Sequence, residues 1–390
     1  MAAVRMTNAE ARAFLTTQLF APQPDTGAAL SYLGAVQMDP VSRVAPSHHL
    51  SLALRVPRYR PDALERLRAR GGVLEVPAHE RCLVPTADLG AHWARLVGHR
   101  LREWPARERV RSASEHVLER LRGEGPLPTR AFEGERVEGF WDASGEAATK
   151  STSLALEVLW REGHVAVRRR QGNERTFDLF ERVVPAALRE EAAALGGEET
   201  DARRLDAYMR AVRLARANDP RFAFAYEPAA RLRERVERAL AEGTLVRVEV
   251  AASRRAYLAR PQDIEAWGGA RSTPRPRLVP PLDNVLWNRA RLEDLFGFAY
   301  RWEVYVPAER RRVGPYGMPL LVGDAFWGQA DVRFDRPSRT LHLRPTPPLP
   351  GVHPVRYRRA IERAAEALAR TLARFDGEGE VRVSLASDGA

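Results

Sequence analysis

The sequence predicts an α+β protein in which a unit of helices and a β-hairpin occurs three times, ahead of a small β-barrel region and a final helix. Three helix-to-strand junctions carry this prediction because they align glycine for glycine. They are Tyr32-Leu-Gly-Ala-Val36, Arg161-Glu-Gly-His-Val165 and Ala241-Glu-Gly-Thr-Leu245. Short apolar-alternating segments between residues 302 and 343, separated by Gly, Pro and Asp, predict the β-barrel or a sandwich. A generic helix–glycine–strand ending would also produce the aligned junctions.

The first unit begins with two helices and continues as an extended segment. Thr7 and Asn8, followed by Glu10, are a capping signal for a helix over residues 7–21. Asp25 caps a second helix that ends at Gly34. The alternation that follows predicts a strand from residue 34 that runs through 48 and 49 to 54, and a further helix covers residues 89–102.

The start of this strand carries an amide and a carboxylate side by side. In an extended backbone Gln37 and Asp39 point to one face, while Val36 and Met38 point to the other, towards the core. Pro40 supports the extended conformation, because a proline disfavours helical geometry in the residue before it. The pair therefore qualifies as a candidate site for acid–base chemistry. A polar pair on the solvent-facing side of an edge strand is the structural alternative.

The second unit has the element order of a winged helix-turn-helix. Residues 107–123 predict an amphipathic helix, residues 128–133 a short helix and Ser151–Arg161 a third. Two strands over residues 165–170 and 175–180, joined by a turn at residues 171–173, form a hairpin. We interpret the hairpin as the wing and Ser151–Arg161 as the recognition helix that enters DNA.

The same order returns in the third unit and gives way to the β-rich region. Helices are predicted over residues 202–217 and 229–240, with Phe222, Phe224 and Tyr226 between them. A hairpin follows over residues 244–250 and 255–259, a linker over 272–281, and a closing helix over 357–375. Strands of the β-barrel are predicted at 302–306, 320–322, 326–332 and 340–343. The predicted domains are 1–104, 105–190 and 191–272, each a winged helix-turn-helix, and 273–390, the β-barrel with the C-terminal helix.

The charge of the chain favours a polyanionic partner. Its 390 residues carry a formal net charge of +11, and the pI is near 10.4. Clusters of arginine can neutralise phosphates, which makes nucleic acid the natural candidate. The residues predicted to contact DNA are His48, His49, Arg55, Lys150, Arg168, Arg169, Arg170, Arg310, Arg311 and Arg312. An arginine-rich and alanine-rich composition that reflects a GC-rich genome is the alternative explanation of the charge.

Several separated motifs resemble those of the winged-helix DNA glycosylases of the AlkZ/YcaQ (AlkX) type. The segment from Val36-Gln-Met-Asp39 to Ser47-His-His-Leu50 is similar to that family's catalytic Gln-x-Asp or Gln-x-Gln segment. Glu75-Val-Pro-Ala-His-Glu80 resembles its aromatic-Ala-His-Glu stretch, although Pro77 stands where an aromatic residue is usual. Pro281-Leu-Asp-Asn-Val-Leu-Trp287 resembles the entry to its β-domain. The motifs occur in the expected order over nearly the whole chain.

The resemblance implies a monofunctional glycosylase of the Gln-x-Asp branch. Such an enzyme excises bulky or crosslinked alkylguanines from double-stranded DNA and unhooks interstrand crosslinks. Gln37 and Asp39 map onto the catalytic pair of that branch. The chemistry agrees, because a guanine alkylated on its imidazole nitrogen is cationic and leaves without a general acid. The reaction then needs a placed water and an anion to stabilise the sugar cation.

The remaining residues exclude most other chemistries. Lys150 is the sole lysine, and we expect a phosphate contact from it, with a lyase role as the alternative. His48, His49, His79 and Glu80 could hold a metal, but neighbouring histidines on a strand point to opposite faces, so we expect no metal site. Because no phosphate-binding or dinucleotide-binding glycine motif occurs, no cofactor is expected. A non-enzymatic winged-helix regulator of DNA is the second function class.

The sequence also bears on location and assembly. Cys82 is the only cysteine, so no internal disulfide can form. No apolar run of about 18 residues occurs, and Asn8 and Glu10 precede any apolar block that could act as a signal sequence. We therefore expect a cytoplasmic monomer that associates with the nucleoid when it acts on DNA, without a membrane partner.

Overall fold

The computed structural model describes residues 3–101, 105–138, 148–219, 221–224, 229–251, 253–377 and 379–386, and these residues form an α+β structure. They divide into two compact units. Unit 1 combines residues 1–61 with residues 208–390, and unit 2 comprises residues 62–207. Two predicted features, the helix end at Arg102 and the aromatic Tyr226, lie outside the described residues. The four predicted domain boundaries remain predictions.

Helices and strands are numbered in chain order. The α-helices are α1 Asn8–Leu19, α2 Thr26–Leu33, α3 Ser47–Ala53, α4 Pro61–Ala69, α5 Leu89–Leu101, α6 Pro105–Arg109, α7 Arg111–Glu124, α8 Ser151–Arg161, α9 Phe180–Val183, α10 Ala186–Ala194, α11 Gly197–Val212, α12 Ala229–Ala241, α13 Pro261–Trp267, α14 Arg289–Phe296 and α15 Pro354–Asp376. The strands are β1 Val4–Met6, β2 Val36–Gln37, β3 Val73–Pro77, β4 Arg81–Pro85, β5 Leu127–Pro128, β6 Arg136–Glu138, β7 Ala148–Lys150, β8 Val165–Gln171, β9 Glu174–Leu179, β10 Val246–Val250, β11 Tyr257–Ala259, β12 Pro276–Leu278, β13 Gly317–Val322, β14 Ala325–Asp335, β15 Thr340–Pro345 and β16 Arg382–Leu385. Within the described part of the chain, no helix is long and apolar enough to cross a membrane.

Unit 1 contains a five-stranded sheet with the order β12-β13-β14-β15-β16. Its first four strands pair antiparallel, while β15 and β16 run parallel, with Leu341 opposite Val383. Helix α15 lies against one face, because its apolar residues recur at helical spacing and are buried with those of the sheet. The shared core includes Tyr316, Met318, Leu320, Val332, Leu343, Tyr357, Ile361 and Leu372.

This sheet corrects two predictions about the β-rich region. The segment 272–281 is not a linker throughout, since β12 forms an edge strand within it, at a position where a sheet tolerates proline. Residues 302–306 contain a turn at 304–305 and no strand. Among the described residues the strand order is linear, with β12 and β16 at the edges, so the pairings show one open sheet and not a closed barrel.

Unit 1 also contains a second, three-stranded sheet. The predicted hairpin of β10 and β11 is present, and β1 pairs in parallel with β10, with Val4 opposite Val248. The sequence did not predict β1, because three residues carry too little periodicity and this strand exists only through pairing with a segment more than 240 residues away. The caps predicted at Thr7 and Asp25 are confirmed, and Thr7 forms a full capping box with Glu10.

Unit 2 reproduces the predicted order of helix, short helix, helix and hairpin. Helix α7, a 3-10 turn at Thr129–Ala131, helix α8 and the hairpin of β8 and β9 occur in this order, and the paired strands β6 and β7 lie between the 3-10 turn and α8. Strand β5 extends the hairpin to the order β5-β9-β8. A core that includes Val117, Leu121, Phe132, Leu154, Leu159 and Phe177 holds them together. The element order is confirmed, and the assignment as a DNA-binding winged helix remains a prediction.

Helix α8 differs from the recognition helix that the sequence predicts. No residue from Ser151 to Arg161 is exposed, whereas a helix that enters the major groove must present side chains to solvent. The hairpin of β3 and β4 explains part of this burial. Trp160 Nε1 donates to the Glu75 carbonyl oxygen at 2.9 Å, and Arg81 lies 4.0 Å from the centre of the Trp160 ring. The structure therefore corrects the prediction: α8 is a core helix.

Candidate active site

Strand β2 receives its position from the helix before it. Helix α2 is capped at its amino terminus by Asp25, whose carboxylate accepts the Ala28 N–H at 2.8 Å. It ends at Gly34, where φ is +68°, a conformation that glycine adopts without steric cost. The chain then turns directly into Val36 and Gln37. The predicted glycine junction therefore ends α2 and determines where the candidate catalytic segment begins.

Two polar side chains from distant parts of unit 1 fix this junction. Asn284, fully buried, donates its side-chain N–H groups to the carbonyl oxygens of Ala35 at 2.9 Å and Ala211 at 3.1 Å. Arg213 donates to the Tyr32 carbonyl oxygen at 2.6 Å and pairs with Asp263, also at 2.6 Å. Because buried backbone carbonyls need partners, these contacts hold the residues directly before β2 in one position.

After Gln37 the chain leaves the strand and forms a loop that docks on the five-stranded sheet. The Phe334 N–H donates to the Arg43 carbonyl oxygen at 3.1 Å, and Tyr316 Oη donates to the Ala45 carbonyl oxygen at 3.3 Å. Val44 and Ala45 are buried in the core of that sheet. The segment predicted as part of the first unit is therefore anchored on the β-rich region.

Asp39 lies on this loop as a half-buried carboxylate. Its Oδ1 accepts the Val41 N–H at 2.8 Å, which fixes the orientation of the side chain. Burial raises the pKa of Asp39, and the hydrogen bond from Val41 opposes this effect only in part. Within the described residues no arginine, lysine or histidine forms an ion pair with it. An unpaired, partly desolvated carboxylate is unusual in a chain with 62 basic residues.

The negative charge of this carboxylate affects two nearby tyrosines. Burial and then the charge of Asp39 raise the pKa values of Tyr305 and Tyr316. Tyr316 is fully buried, whereas Tyr305 is 78% exposed and lies 5.9 Å from Trp302 between ring centres. The carboxylate thus lies near an aromatic side chain that faces solvent.

Gln37 and Met38 flank the carboxylate on its amino-terminal side. Gln37 is 9% exposed, and no hydrogen bond joins its side-chain amide to another residue that the structure describes. Met38 is buried, as predicted. The Gln37 amide, which has no hydrogen-bond partner among the described residues and lies two positions before Asp39, can hold a water molecule because it both donates and accepts hydrogen bonds.

The two histidines do not extend the site as a strand. Residues 47–53 form helix α3, so the prediction that His48 and His49 point to opposite faces of a strand is wrong. Their rings lie 4.2 Å apart between centres, and His49 Nδ1 is 2.7 Å from Tyr59 Oη. Most of α3 is buried, and a helix buried on several sides shows no clear period of 3.6 residues. The contact of His48 and His49 with DNA remains a prediction.

Two predicted DNA-contact residues are interior ion pairs. Arg55 is buried and forms two hydrogen bonds with the fully buried Asp283, at 2.5 and 2.9 Å. In unit 2, Arg170 binds both carboxylate oxygens of the buried Glu75, at 2.6 and 2.8 Å. Since their guanidinium groups are occupied inside the protein, we revise both residues from DNA contacts to structural residues.

The other predicted DNA contacts of unit 2 are on its surface. Lys150 is exposed at the start of α8. Arg168 and Arg169 are exposed on strand β8, where the hairpin register shifts. They line a groove of about 720 Å³ together with Arg70 and Arg189. These three predicted residues have the exposure that a phosphate contact requires.

The arginine cluster of unit 1 lies on a shaped loop. The buried carboxylate of Glu303 accepts the backbone N–H groups of Arg312, Val313 and Gly314 at 2.9 to 3.1 Å. Arg310 and Arg312 are exposed, and Arg311 donates to the Val306 carbonyl oxygen at 2.7 Å. Since Tyr305 belongs to the same segment, the loop brings exposed arginines and the exposed tyrosine together.

Sequence reasoning missed two residues of this site. Asn284 lies within the motif Pro281–Trp287, which the sequence analysis used only as a family marker. Tyr305 was placed in a predicted strand, where its exposure could not be seen. The motif was a signal for Asn284, whereas no local pattern distinguishes Tyr305 from a core aromatic.

The structure also shows no group of three or more His, Cys, Asp or Glu among its described residues that could hold a metal ion.

Known proteins resemble this chain in sequence and in fold. The family model described as "DNA glycosylase AlkZ-like" matches residues 30–371 of the chain. The structure is similar to that of the Streptomyces sahachiroi DNA glycosylase AlkZ, with a TM-score of 0.63 and 16% sequence identity. That similarity covers 98% of this chain and 100% of the Streptomyces protein. At this level of identity, the structural likeness concerns the fold.

Proposed function

Because the chain belongs to the AlkZ-like DNA glycosylase family, we propose that it hydrolyses the N-glycosidic bond of bulky or crosslinked alkylguanines, with Asp39 and Gln37 as its catalytic pair. The observation that carries the proposal is the state of Asp39. Its carboxylate is half-buried, oriented by the Val41 N–H, and without an ion-pair partner among the described residues. A protein keeps such a group at a cost in stability, which is typical of a functional residue.

The chemistry follows from the charge of the lesion. When the bond between sugar C1′ and guanine N9 breaks, its electron pair moves to the base and neutralises the cationic imidazole ring. The sugar gains positive charge, which the ionised Asp39 stabilises. A water held by the Gln37 amide adds to C1′, and its proton passes to Asp39. The products are a neutral alkylguanine and an abasic site.

The surroundings of Asp39 suit a lesion that remains attached to the opposite strand. A crosslinked guanine cannot turn freely into a closed pocket, as an ordinary flipped base does. The exposed Tyr305 near Asp39 indicates that this site is open to solvent. We propose that Tyr305 stacks on a base next to the lesion, since an exposed aromatic ring offers a face for any base.

The decisive experiment measures base release under single-turnover conditions. Duplex DNA with one N7-methylguanine, or with one mustard crosslink, is incubated with protein and then treated with alkali. We expect alkali-labile sites with the natural protein and a rate about 10²- to 10⁴-fold lower with Asp39→Asn. Asp376→Asn, an exposed aspartate at the end of α15, is the matched control and should keep the full rate.

Two results would contradict the proposal. Full activity of Asp39→Asn would remove Asp39 from the mechanism. Strand cleavage without alkali, together with trapping of a protein–DNA adduct by borohydride that Lys150→Arg abolishes, would show the lyase route. We expect neither, because a hydrolytic mechanism leaves an intact strand with an abasic site.

A further inference from the structure

A cavity in unit 1 lies apart from the catalytic loop contacts and has no assigned role. It has a volume of about 340 Å³ and lies between α3 with the residues that follow it, strand β12 and the carboxyl-terminal half of α15. Its apolar wall includes Leu50, Leu54, Val56, Leu278, Met318 and Leu368. A volume near the lower end of the range for small-molecule sites, roughly 300–1,000 Å³, fits a ligand the size of one nucleotide.

Arginines dominate the polar part of this cavity. Arg55, which is paired with the buried Asp283, and Arg58, Arg275, Arg277, Arg370 and Arg374 line it, whereas no carboxylate does. Arg370 has only an exposed neighbour, Glu366, at 3.8 Å. Apart from Arg55, the other four form no ion pair with any residue that the structure describes. Like charges that converge without counter-charges favour a bound anion, since the anion replaces their mutual repulsion with attraction.

The individual arginines support this interpretation. Burial, and then the charges of Arg275 and Arg55, lower the pKa of Arg277 to about 10. Arg374 donates to Thr371 Oγ1 at 3.0 Å, while its buried Nε has no hydrogen-bond partner among the described atoms. Arg58 has a φ of +55°, a conformation that is unfavourable for a residue other than glycine. Arg277 stacks on the Phe20 ring at 5.2 Å but is desolvated, and Arg374 keeps one buried donor without a partner, so a bound anion would add contacts that these two residues lack.

We propose that this cavity binds a phosphate monoester of nucleotide size, with the phosphate on the arginines and the apolar part against the leucine-lined wall. A monoester is favoured over a diester because its dianion neutralises two of the converging charges. Planar guanidinium groups also match phosphate oxygens in pairs. The monoester has two sources: a free nucleotide, or the phosphorylated end of a DNA strand. The proposal does not depend on the catalytic role of Asp39.

Calorimetric titration of the full chain tests the proposal and distinguishes the two sources. The probes are deoxyguanosine monophosphate, deoxyguanosine, inorganic phosphate, and one single-stranded oligonucleotide with either a 5′-phosphate or a 5′-hydroxyl. We expect the nucleotide to bind at least tenfold more tightly than the nucleoside or inorganic phosphate. If instead only the 5′-phosphorylated oligonucleotide gains affinity over its hydroxyl form, the ligand is a strand end.

Three variants locate the binding. Arg277→Met should raise the dissociation constant of the preferred probe about tenfold or more, since one charge-assisted hydrogen-bond donor is lost. Ala367→Leu fills the cavity without changing its charge and should remove the preference for nucleotide over inorganic phosphate. Arg363→Met, an exposed residue on α15 outside the cavity, is the control and should bind as the natural protein does.

The proposal is overturned if neither monoester binds better than its unphosphorylated form. It is also overturned if Arg277→Met and Ala367→Leu, folded as judged by their thermal unfolding, bind the preferred probe unchanged. Should Arg277→Met fail to fold, Arg58→Met replaces it, because Arg58 is exposed. Base release is not used as a readout, so failure of the catalytic proposal leaves this test intact.

Discussion

Asp39 shows how an ordinary residue becomes a candidate for catalysis through its surroundings. An exposed aspartate would be ionised and unremarkable at neutral pH. Here partial burial raises its pKa, and only one backbone N–H opposes that effect. The same burial strengthens its interaction with a developing sugar cation, because water screens the two charges less. The partial burial of Asp39 therefore lowers the stability of the protein and at the same time favours the proposed reaction.

This pKa predicts the pH dependence of activity. Asp39 must be ionised to accept a proton, so the rate of base release should fall as the pH decreases through its raised pKa. We expect the midpoint of this fall to lie above about 3.9, the value of an exposed aspartate. Single-turnover rates measured across acidic pH, with unfolding followed in parallel, provide the test. A rate that stays constant to the pH of acid unfolding would contradict it.

The sign of the stability effect is opposite to that of most carboxylates. Because the folded pKa is raised, the folded protein binds more protons than the unfolded chain between the two pKa values, so this group favours folding more as pH falls. Asp39→Asn should consequently keep or raise the melting temperature at neutral pH. That outcome would separate loss of catalysis from loss of fold.

At the scale of elements, the short strand β2 depends on side chains that lie far away in sequence. Asn284→Ala would leave the carbonyl oxygens of Ala35 and Ala211 without their buried donors. We expect a loss of about 1–3 kcal/mol in the free energy of unfolding, together with slower base release because Gln37 shifts. Urea unfolding and single-turnover kinetics measure the two effects. Unchanged kinetics would show that Asn284 supports the fold alone.

Within unit 2, a buried charge network joins the hairpin of β3 and β4 to helix α4 and strand β8. Burial would raise the pKa of Glu75, but Arg68, Arg170 and Arg81 lower it to well below its ordinary range. The neighbouring Glu157 shows the same balance, and its pKa is lowered to about 2 despite burial. Both carboxylates therefore stabilise the fold above the ordinary glutamate pKa, and this contribution is lost as pH falls towards their folded values.

Removing the central charge should be costly. Glu75→Gln leaves three arginines without their shared buried counter-charge, and we expect about 3–5 kcal/mol of destabilisation in urea unfolding at neutral pH. Glu174→Gln breaks an ion pair with the exposed Arg130 and should cost less than about 1 kcal/mol. Similar losses in the two variants would show that the network contributes no more than a surface pair.

For the whole molecule, the total charge does not distinguish buried, ion-paired arginines from exposed arginines. Arg55 and Arg170 are bound inside the protein, whereas Arg168 and Arg310 are exposed. If the exposed residues contact phosphates, Arg168→Ala and Arg310→Ala should each reduce the slope of log affinity against log salt by about one unit. Arg170→Ala should lower stability and leave the slope unchanged. Fluorescence anisotropy with duplex DNA at several salt concentrations distinguishes these outcomes.

Membership in a glycosylase family decides between the two function classes that the sequence left open. Basic charge and helix–hairpin units are equally compatible with a regulator that only binds DNA. The match over residues 30–371 shows a DNA glycosylase instead. The preference for alkylguanine or crosslinks and the roles of Gln37 and Asp39 remain proposals for the experiments above.

The sequence by itself determined the local elements and the family. Helix caps at Thr7 and Asp25, the hairpins and the glycine junctions depend on interactions between neighbouring residues, which a local pattern records. The same is true of the Gln-x-Asp segment, although its chain leaves the strand after Gln37. Val36 and Met38 are buried as predicted, but Gln37 between them is buried as well, so the predicted alternation of buried and exposed side chains does not hold here.

Only the tertiary structure decided which polar groups are free to act. Arg55 and its partner Asp283 are 228 residues apart, and Ala35 and Asn284 are 249 apart. Nothing in either local sequence records such pairings, because burial and ion pairing depend on which segments meet in space. The structure therefore moved Arg55 and Arg170 into the interior and turned α8 into a core helix. It also left Asp39 near an exposed tyrosine without a counter-charge among the described residues.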